Sequence, residues 1–349
     1  MSAGFRAVQW NRPKRIYDAV LVGAIALFIG AFVAVEAIVA PPADARAWID
    51  LRVRAFGICA FVMLTVILSI GPLVRLDRRF LPLLYNRRHF GVAAFVVAAL
   101  HGAFVVEWFA AGSELQNLVA ELTDREAYGR FIGFPYKALG IAALAVMLVM
   151  AATSHDYWMA FLTPPVWKAI HMSVYLAYGL VVMHVALGAM QGTGQVGIAI
   201  LLVVGFGIVS GLHVIAGRRE VTIDRGTAAG PESWITVGPP DQIPDGRARI
   251  VVAPGGERIA VFRQGDRLGA LSNLCAHQNG PIGEGCIVDG LVTCPWHGFQ
   301  YRLDDGRAPP PFNEVLATYR VRVVDGLVQV DPQPQPLGTS TAIVLPFGR

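Results

Sequence analysis

The stretch RRHFGVAAFVVAALHGAF, residues 87–104, decides how the first part of this chain folds. It begins with paired arginines, continues as a long apolar run and contains a histidine, His101, within that run. About 20 apolar residues cross the hydrocarbon core of a bilayer as a helix. An ionisable side chain inside such a helix is costly and usually functional. The stretch therefore predicts a transmembrane helix that carries a functional histidine.

The same apolar character recurs over the first two-thirds of the chain. Of the 349 residues, 54% are hydrophobic and 15% are charged, whereas a soluble domain usually has about 25% charged residues. A cleaved signal peptide is not expected, because the first run is too long for the apolar part of such a peptide. The runs predict six transmembrane helices, over 16–40, 53–74, 90–110, 136–152, 166–190 and 196–216.

Positive charge gathers in alternate loops between these runs. It precedes the first run, fills the loop after the second and follows the sixth: Arg6, Arg12, Lys14, Arg15; Arg75, Arg78, Arg79, Arg87, Arg88; Arg218, Arg219, Arg225. Loops rich in Lys and Arg stay in the cytoplasm. We therefore predict a multi-pass protein of the bacterial inner membrane, surrounded by lipid, with both termini in the cytoplasm. Because topology explains these arginines, no nucleic-acid partner is predicted.

After residue 216 the composition changes. Residues 217–231 are polar and contain glycine, which is typical of a linker. Short β-rich segments separated by Gly, Pro and Asp follow over 232–332 and predict a small all-β domain. The tail, 333–349, is expected to be irregular. The predicted fold is a membrane all-α six-helix bundle, residues 1–216, joined to this domain.

Two motifs in the β-rich region carry metal-ligating residue types, CAH at 275–277 and CPWHG at 294–298. The four candidate ligands are Cys275, His277, Cys294 and His297. Two cysteines and two histidines could hold a tetrahedral zinc ion, or a Rieske cluster with the cysteines on one iron and the histidines on the other. Here each motif supplies one cysteine and one histidine, and this order favours the 2Fe–2S cluster over zinc. Glycines and prolines around both motifs, in GPIGEG and CPWHG, would let backbone amides approach the cluster sulfurs.

The C-x-H … C-P-W-H-G pattern resembles the Rieske family. Respiratory members of that family have cysteines where this chain has Gly280 and Trp296, so the resemblance implies no disulfide between the two loops. The family's serine, which donates a hydrogen bond to a sulfur, corresponds to Phe299, whereas its tyrosine is retained as Tyr301. Hydrogen bonds to the sulfurs influence the reduction potential. The resemblance therefore implies a ferredoxin-type rather than a quinol-oxidising site, and Cys286 has no predicted role.

Histidines recur at two depths in the predicted helices. His101 and His184 lie deep in the third and fifth runs, and His89 and His171 lie near the cytoplasmic ends of the same runs. Spacings of 12 and 13 residues correspond to about 18 and 19.5 Å along a helix, which would suit two haems stacked across a bilayer. On an ideal helix, however, His171 and His184 would point about 140° apart, so a kink or bulge would be required. His213 in the sixth run is a further candidate partner for His171.

Four stretches resemble the ferric reductase-like transmembrane domain. They are RRHFGVAAFVVAALHGAF (87–104), FPYKALG (134–140), ATS (152–154) and VWKAIHMSVYLAYGLVVMHVALG (166–188). The resemblance extends over about residues 16–216. Within this family the chain is most similar to the haem-bearing membrane subunits of bacterial methionine sulfoxide reductase systems.

This resemblance implies that the helices bind one or two b-type haems. It assigns His101, His171 and His184 as the haem ligands. His89, where that family need not have a histidine, and His213 are secondary candidates through their positions in the runs, and His155, in a cytoplasmic loop, is given no ligand role. Arg87 and Arg88 would contact haem propionates, although membrane topology explains these two arginines equally well.

The segment GTGQVG, 192–197, matches a dinucleotide-binding pattern. That pattern requires a preceding strand and a βαβ unit, and here it joins two membrane runs. We therefore interpret it as a loop without a nucleotide.

Together these features predict an oxidoreductase that transfers electrons, with no catalytic residue assigned. In the preferred hypothesis a soluble cytoplasmic donor reduces the 2Fe–2S cluster, and electrons continue through inner and outer haem b to a periplasmic or membrane acceptor. In one alternative a quinol feeds the haems and the Rieske domain reduces a cytoplasmic oxygenase. In another the chain is a non-catalytic redox sensor or assembly subunit. The sequence leaves the direction of flow and the haem count open.

Overall fold

A computed structural model describes most of the chain. The described residues are 12–80, 83, 87–130, 133–154, 158, 162, 164–191, 196–226, 234–276, 280–295, 298–310 and 312–345. The chain divides into two compact units, Met1–Ser69 with Arg87–Gly211 and Ile70–Asn86 with Leu212–Arg349.

Helices account for almost all of the first unit. They are α1 Arg12–Val39, α2 Ala45–Leu76, α3 Arg87–Ala111, α4 Leu115–Thr123, α5 Tyr136–Ala152, α6 Pro164–Met172, α7 Val174–Gln191 and α8 Val196–Gly226. Within the described residues, five spans are long and apolar enough to cross a membrane, and α5 is a shorter apolar helix. The predicted multi-pass helical domain is confirmed.

Two of the predicted boundaries, the start of the second helix and the end of the last, are wrong. Helix α2 begins at Ala45 rather than at residue 53, because Asp44 caps it through the amide of Ala47 and its first arginines pair with carboxylates. Helix α8 continues to Gly226, into the segment predicted as a linker. The polar residues leaving the membrane can remain helical, because Arg and Glu are good helix formers.

The fifth predicted run is two helices rather than one. Helix α6 ends at Met172 and α7 begins at Val174, while the amide of Ser173 donates to Ile170 O at 3.1 Å. This three-residue turn interrupts the helix between His171 and His184. A break of this kind is what the predicted angle of about 140° between the two side chains requires. The two histidines nevertheless contact different groups, Trp167 O for His171 and Tyr136 O for His184.

Helix α2 lies in the centre of the helical unit. Half of the residues in its most apolar 18-residue stretch are buried, whereas none are buried in the corresponding stretch of α1. Its inner side chains, such as Cys59, Phe61 and Leu64, pack with residues of α3, α5, α7 and α8 in one apolar core. The buried Cys59 is thus a core residue.

The second unit contains the β domain. Its strands are β1 Ile235–Gly238, β2 Ala248–Val252, β3 Arg258–Gln264, β4 Arg267–Ser272, β5 Cys286–Val288, β6 Leu291–Thr293, β7 Gln300–Arg302, β8 Thr318–Val324, β9 Leu327–Pro334 and β10 Ile343–Val344. A larger antiparallel sheet has the order β1-β9-β8-β4-β3-β2, with β10 paired to β4, and a smaller sheet has the order β5-β6-β7. The tail predicted as irregular therefore contains a strand, because Ile343 and Val344 pair with β4.

The alternation of side chains along β3 gives the larger sheet two buried faces. Ile259 and Val261 join one core, whereas Ala260 and Phe262 join another. Successive residues of a strand point to opposite faces. The second core also contains residues of the smaller sheet and both motif cysteines, so the fold places these cysteines between the two sheets.

Candidate functional site

The two motif cysteines lie in the second core, each shortly after a strand. Cys275 follows β4 and Cys294 follows β6, and each is 1% exposed. The amide of Cys275 donates to Gly280 O at 2.9 Å, and the amide of Cys294 donates to Phe299 O at 2.8 Å. Each loop is therefore closed by a backbone hydrogen bond at its cysteine, and the left-handed Gly298, with φ of 71°, turns the second loop back.

Tyr301 lies against the sulfur of Cys275. Its hydroxyl is 3.3 Å from Cys275 Sγ, and the side chain is completely buried. The ring of Phe299 packs on Tyr301, with centroids 5.3 Å apart, and on Phe312 at 4.8 Å. A polar donor thus stands at the first cysteine, while an apolar ring occupies the position expected for the family's serine.

Two glycines of GPIGEG serve packing rather than ligand approach. A Cβ on Gly285 would collide with Thr293 O, and a Cβ on Gly283 would lie 2.7 Å from Ile250 Cγ1. The amide of Gly283 donates to Asn273 Oδ1 at 2.6 Å, and that of Gly285 donates to Ile282 O at 2.8 Å. These two amides are thus bonded within the protein, and the approach of other backbone amides of the two motifs to cluster sulfurs stays a prediction.

The other two predicted cluster ligands, His277 and His297, lie outside the described residues, as does Trp296. Among the residues that the structure describes, no group of three or more His, Cys, Asp or Glu forms a metal site. The structure thus brings together the two cysteines and leaves the histidines as predictions.

In the helical unit, His101 and His184 face each other. His101 lies on α3 and His184 on α7, with ring centroids 6.4 Å apart and ring planes at 80°. A metal bound between two imidazole nitrogens at about 2 Å each would place the centroids about 6 Å apart. The pair therefore has the separation that two axial ligands of one metal require.

Each of these imidazoles is oriented by a backbone carbonyl. His101 Nδ1 lies 2.9 Å from Val53 O, and His184 Nδ1 lies 2.8 Å from Tyr136 O. A carbonyl only accepts hydrogen bonds, so Nδ1 carries the proton and Nε2 keeps its lone pair. Metal-ligating histidines typically donate their other N–H in this way. Both rings are therefore set to bind a metal through Nε2.

A glycine makes room for each ring, one helical turn after the carbonyl. A Cβ on Gly57 would lie 3.0 Å from His101 Nδ1 and Cε1, and a Cβ on Gly140 would lie 2.9 Å from the same atoms of His184. Side chains four residues apart share one face of a helix. The carbonyl and the glycine of α2 thus surround His101 as those of α5 surround His184.

This arrangement is an internal repeat that the sequence interpretation missed. Carbonyl, glycine and histidine recur with the same spacing, 83 residues later, in the second half of the helical unit. The signal is visible as RAFGI at 54–58 and KALGI at 137–141. A search for internal repeats among the helices would have found it.

A cavity of about 310 Å³ contains this pair of histidines. Both rings and both glycines line it, and most other lining residues are apolar, such as Ile58, Leu144 and Val181. The two basic residues of the repeat, Arg54 and Lys137, also line it. The cavity therefore combines two nitrogen ligands, an apolar wall and two cations.

The remaining candidate histidines have other partners. His171 Nδ1 lies 3.0 Å from Trp167 O, its Nε2 is 3.3 Å from Ser154 Oγ, and its ring stacks on Trp167. His89 Nδ1 lies about 3 Å from both carboxylate oxygens of Asp18. The structure therefore pairs His101 with His184, not with His171.

The other positions singled out in the sequence lie outside this site or outside the described residues. His213 lies within α8, and Arg87 and Arg88 begin α3. His155 and residues 192–195 of the GTGQVG segment lie outside the described residues. The last two residues of that segment begin α8.

Comparison with known proteins identifies both units. The Rieske 2Fe-2S domain family matches residues 233–320, and the ferric reductase like transmembrane component family matches residues 56–182.

The chain is also similar to individual proteins. It is 37% identical over 108 residues to the anthranilate 1,2-dioxygenase ferredoxin subunit of Burkholderia cepacia, and the alignment covers 30% of this chain and 97% of that relative. It is 35% identical over 102 residues to the 3-phenylpropionate/cinnamic acid dioxygenase ferredoxin subunit of Escherichia coli strain K12, covering 28% and 93%. The solved ferredoxin of Sphingomonas yanoikuyae B1 is 26% identical, with a TM-score of 0.27 and coverage of 30% and 100%.

Proposed function

The chain belongs to the Rieske 2Fe-2S family through its C-terminal domain, and we propose that it carries single electrons between a soluble cytoplasmic donor and an acceptor in or beyond the membrane. The ferric reductase-like match and the apolar helices make it a multi-pass membrane protein with an electron-transfer role. The bacterial inner membrane and cytoplasmic termini are part of the proposal. The observation that carries it is the imidazole pair His101–His184, because a second metal-ligand site in the same chain gives the Rieske domain a membrane partner.

For the C-terminal domain we propose Cys275, His277, Cys294 and His297 as the cluster ligands. The burial of both cysteines in one core supports this proposal, as does the loop closure at each cysteine. The hydroxyl of Tyr301 would donate a hydrogen bond to the thiolate of Cys275. The chain's own contribution is thus a buried, hydrogen-bonded pair of sulfur ligands.

For the helical domain we propose one haem b, held by His101 and His184. The residues fit such a group, because both Nε2 atoms keep their lone pairs and an apolar cavity surrounds the rings. When bound, the haem supplies a one-electron carrier within the membrane. Val53 O and Tyr136 O hold the two rings in the required tautomer, and the apolar wall excludes water. His171, His89 and His213 are not used in this proposal.

The experiment is metal and haem analysis of the purified full chain in detergent. We expect one haem and two cluster irons per chain, a low-spin spectrum with two histidine ligands, and a Rieske-type EPR signal. Substitution His184→Ala should remove the haem and leave the EPR signal of the cluster. Haem retained at full occupancy in both His101→Ala and His184→Ala would show that the ligand assignment is wrong.

A second candidate reverses the direction of flow. It is favoured by the curated relatives, which are ferredoxin subunits of dioxygenases. In this candidate a quinol reduces the helical domain, and the Rieske domain delivers electrons to a cytoplasmic oxygenase. Adding a quinol to the oxidised protein distinguishes the two, since haem reduction by quinol alone supports the second candidate and its absence supports the first.

A further inference from the structure

Each copy of the repeat in the helical unit contains a basic residue in addition to its carbonyl, glycine and histidine. Arg54 directly follows Val53, whose carbonyl orients His101, and Lys137 directly follows Tyr136, whose carbonyl orients His184. Both side chains line the cavity between the two rings. Each half of the unit thus contributes one imidazole and one cation to one cavity.

A haem has the same twofold arrangement. A half turn about the in-plane axis that passes between its two propionates exchanges the two faces of the macrocycle and exchanges the two propionates. A site built from two equivalent halves around that axis offers each face one imidazole and each propionate one cation. The repeat in this chain supplies two imidazoles, His101 and His184, and two cations, Arg54 and Lys137.

We therefore propose that Arg54 and Lys137 form the carboxylate-recognition site of the cavity, each binding one propionate of the haem. This inference rests on the proposed haem at His101 and His184 and adds the orientation of the ligand to it. Arg54 lies in the first third of α2, and Lys137 is the second residue of α5. Cations at this depth are costly in a membrane unless they serve a ligand or a partner.

Both cations also contact carboxylates of the chain. Arg54 Nη1 donates to Glu36 Oε2 at 2.9 Å and its Nε donates to Asp50 Oδ2 at 3.2 Å. Lys137 Nζ donates to both oxygens of Glu121, at 2.7 and 2.8 Å. These ion pairs keep the two cations at the cavity in the absence of a ligand.

Each cation retains donor capacity beyond these pairs. A guanidinium has five N–H donors and an ammonium has three. Among the described residues, Arg54 uses two donors on Glu36 and Asp50, and Lys137 places its two hydrogen bonds on a single carboxylate. A propionate can therefore share each cation without breaking the existing ion pair.

A neighbouring arginine provides a matched control. Arg52 precedes Arg54 by two residues on α2 and also pairs with a carboxylate, Glu107, at 3.2 Å. Its guanidinium lies over the ring of Phe104, and it is not among the residues that line the cavity. Substitution of Arg52 changes the charge of the same helix without touching the proposed site.

The test compares haem b with its dimethyl ester, whose carboxylates are blocked, by titrating each into the haem-free full chain in detergent. We expect the wild type to bind haem b at least about a hundredfold more tightly than the ester, since each of the two charged hydrogen bonds is worth about tenfold or more. Arg54→Gln and Lys137→Gln should each reduce that preference by about tenfold, and the double variant should bind both ligands alike. Arg52→Gln should keep the wild-type preference, and Lys137→Arg should restore most of it.

The outcomes separate this inference from the haem proposal. If the wild type binds neither ligand, the proposed haem site is wrong. If it binds both equally, with a spectrum of two histidine ligands, the haem site stands and the carboxylate site is wrong. Equal weakening of both ligands by Arg54→Gln and Lys137→Gln would likewise overturn the inference, because the two residues would then support the fold and not the propionates. The wild-type comparison decides the question even if a variant fails to fold.

Discussion

The helical unit and the β domain position their candidate metal ligands in different ways. In the β domain, buried cysteines begin loops that backbone hydrogen bonds close at Gly280 and Phe299. In the helical unit, each histidine side chain is fixed by a carbonyl and a glycine of a neighbouring helix. The loop site is encoded in short contiguous motifs, whereas the helical site is encoded in contacts between distant segments. Substitutions in the β domain should therefore act locally, whereas substitutions in the helical unit should act through helix packing.

The largest effect is expected from removing one imidazole. His101→Ala should abolish haem binding, because a single remaining histidine cannot supply both axial ligands. The cluster signal should persist, since the two sites are in separate units. Haem analysis and EPR of the purified chain check this result. His89→Ala is the control, because His89 contacts Asp18 rather than His101, and loss of haem in this variant as well would point to general misfolding.

A smaller but still large effect is expected from filling the space beside an imidazole. Gly140→Ala places a methyl group 2.9 Å from the ring of His184, and overpacking of this kind typically costs about 1–3 kcal/mol. Haem occupancy should fall several-fold, and the EPR g-values of the remaining low-spin haem should change with the ring orientation. Gly179→Ala on α7 is the matched control, because a Cβ there meets nothing within 4 Å. Identical spectra for the two variants would contradict the positioning role.

In the β domain, a substitution beside a candidate ligand should change the reduction potential of the cluster rather than the amount of cluster bound. Tyr301→Phe removes the hydroxyl 3.3 Å from Cys275 Sγ. One hydrogen bond of about 1 kcal/mol corresponds to about 40 mV for a one-electron couple, so the reduction potential of the cluster should fall by about this amount. Tyr319→Phe serves as the control, because this buried tyrosine donates to Glu257 and not to a sulfur. A redox titration with equal potentials in both variants would exclude a role for Tyr301 in setting the potential.

The smallest expected effect concerns alkaline stability of the β domain. Burial raises the pKa of the Tyr319 phenol, and the carboxylate of Glu257 raises it further. Because the folded pKa lies above the unfolded value of about 10, the stability contributed by neutral Tyr319 is complete below pH 10. It is lost as the pH rises further, by at most about 1.4 kcal/mol per pH unit. Thermal unfolding monitored by the absorbance of the cluster should show a shallower decline above pH 10 in Tyr319→Phe than in the wild type.

The sequence predicts the two architectures well and the helical site only in part. The apolar runs and the cysteine–histidine motifs each carry their signal within a few residues, so the membrane bundle and the Rieske domain were both predictable. The depths of the histidines in the runs place His101 and His184 together, but the carbonyls and glycines that orient the two rings were not predicted, because they depend on packing between helices far apart in sequence. The break at Ser173 and the extension of α8 to Gly226 likewise reflect local capping and helix propensity that the hydropathy pattern does not contain.

The most direct test of the central claim is rapid reduction of the full chain in detergent. A hydrophilic reductant that does not enter the detergent micelle should reduce the cluster first, and haem absorbance should then change at a rate independent of protein concentration. That result is expected if both centres in one chain exchange electrons. A haem that stays oxidised, or one whose reduction rate rises in proportion to protein concentration, would contradict transfer within the chain.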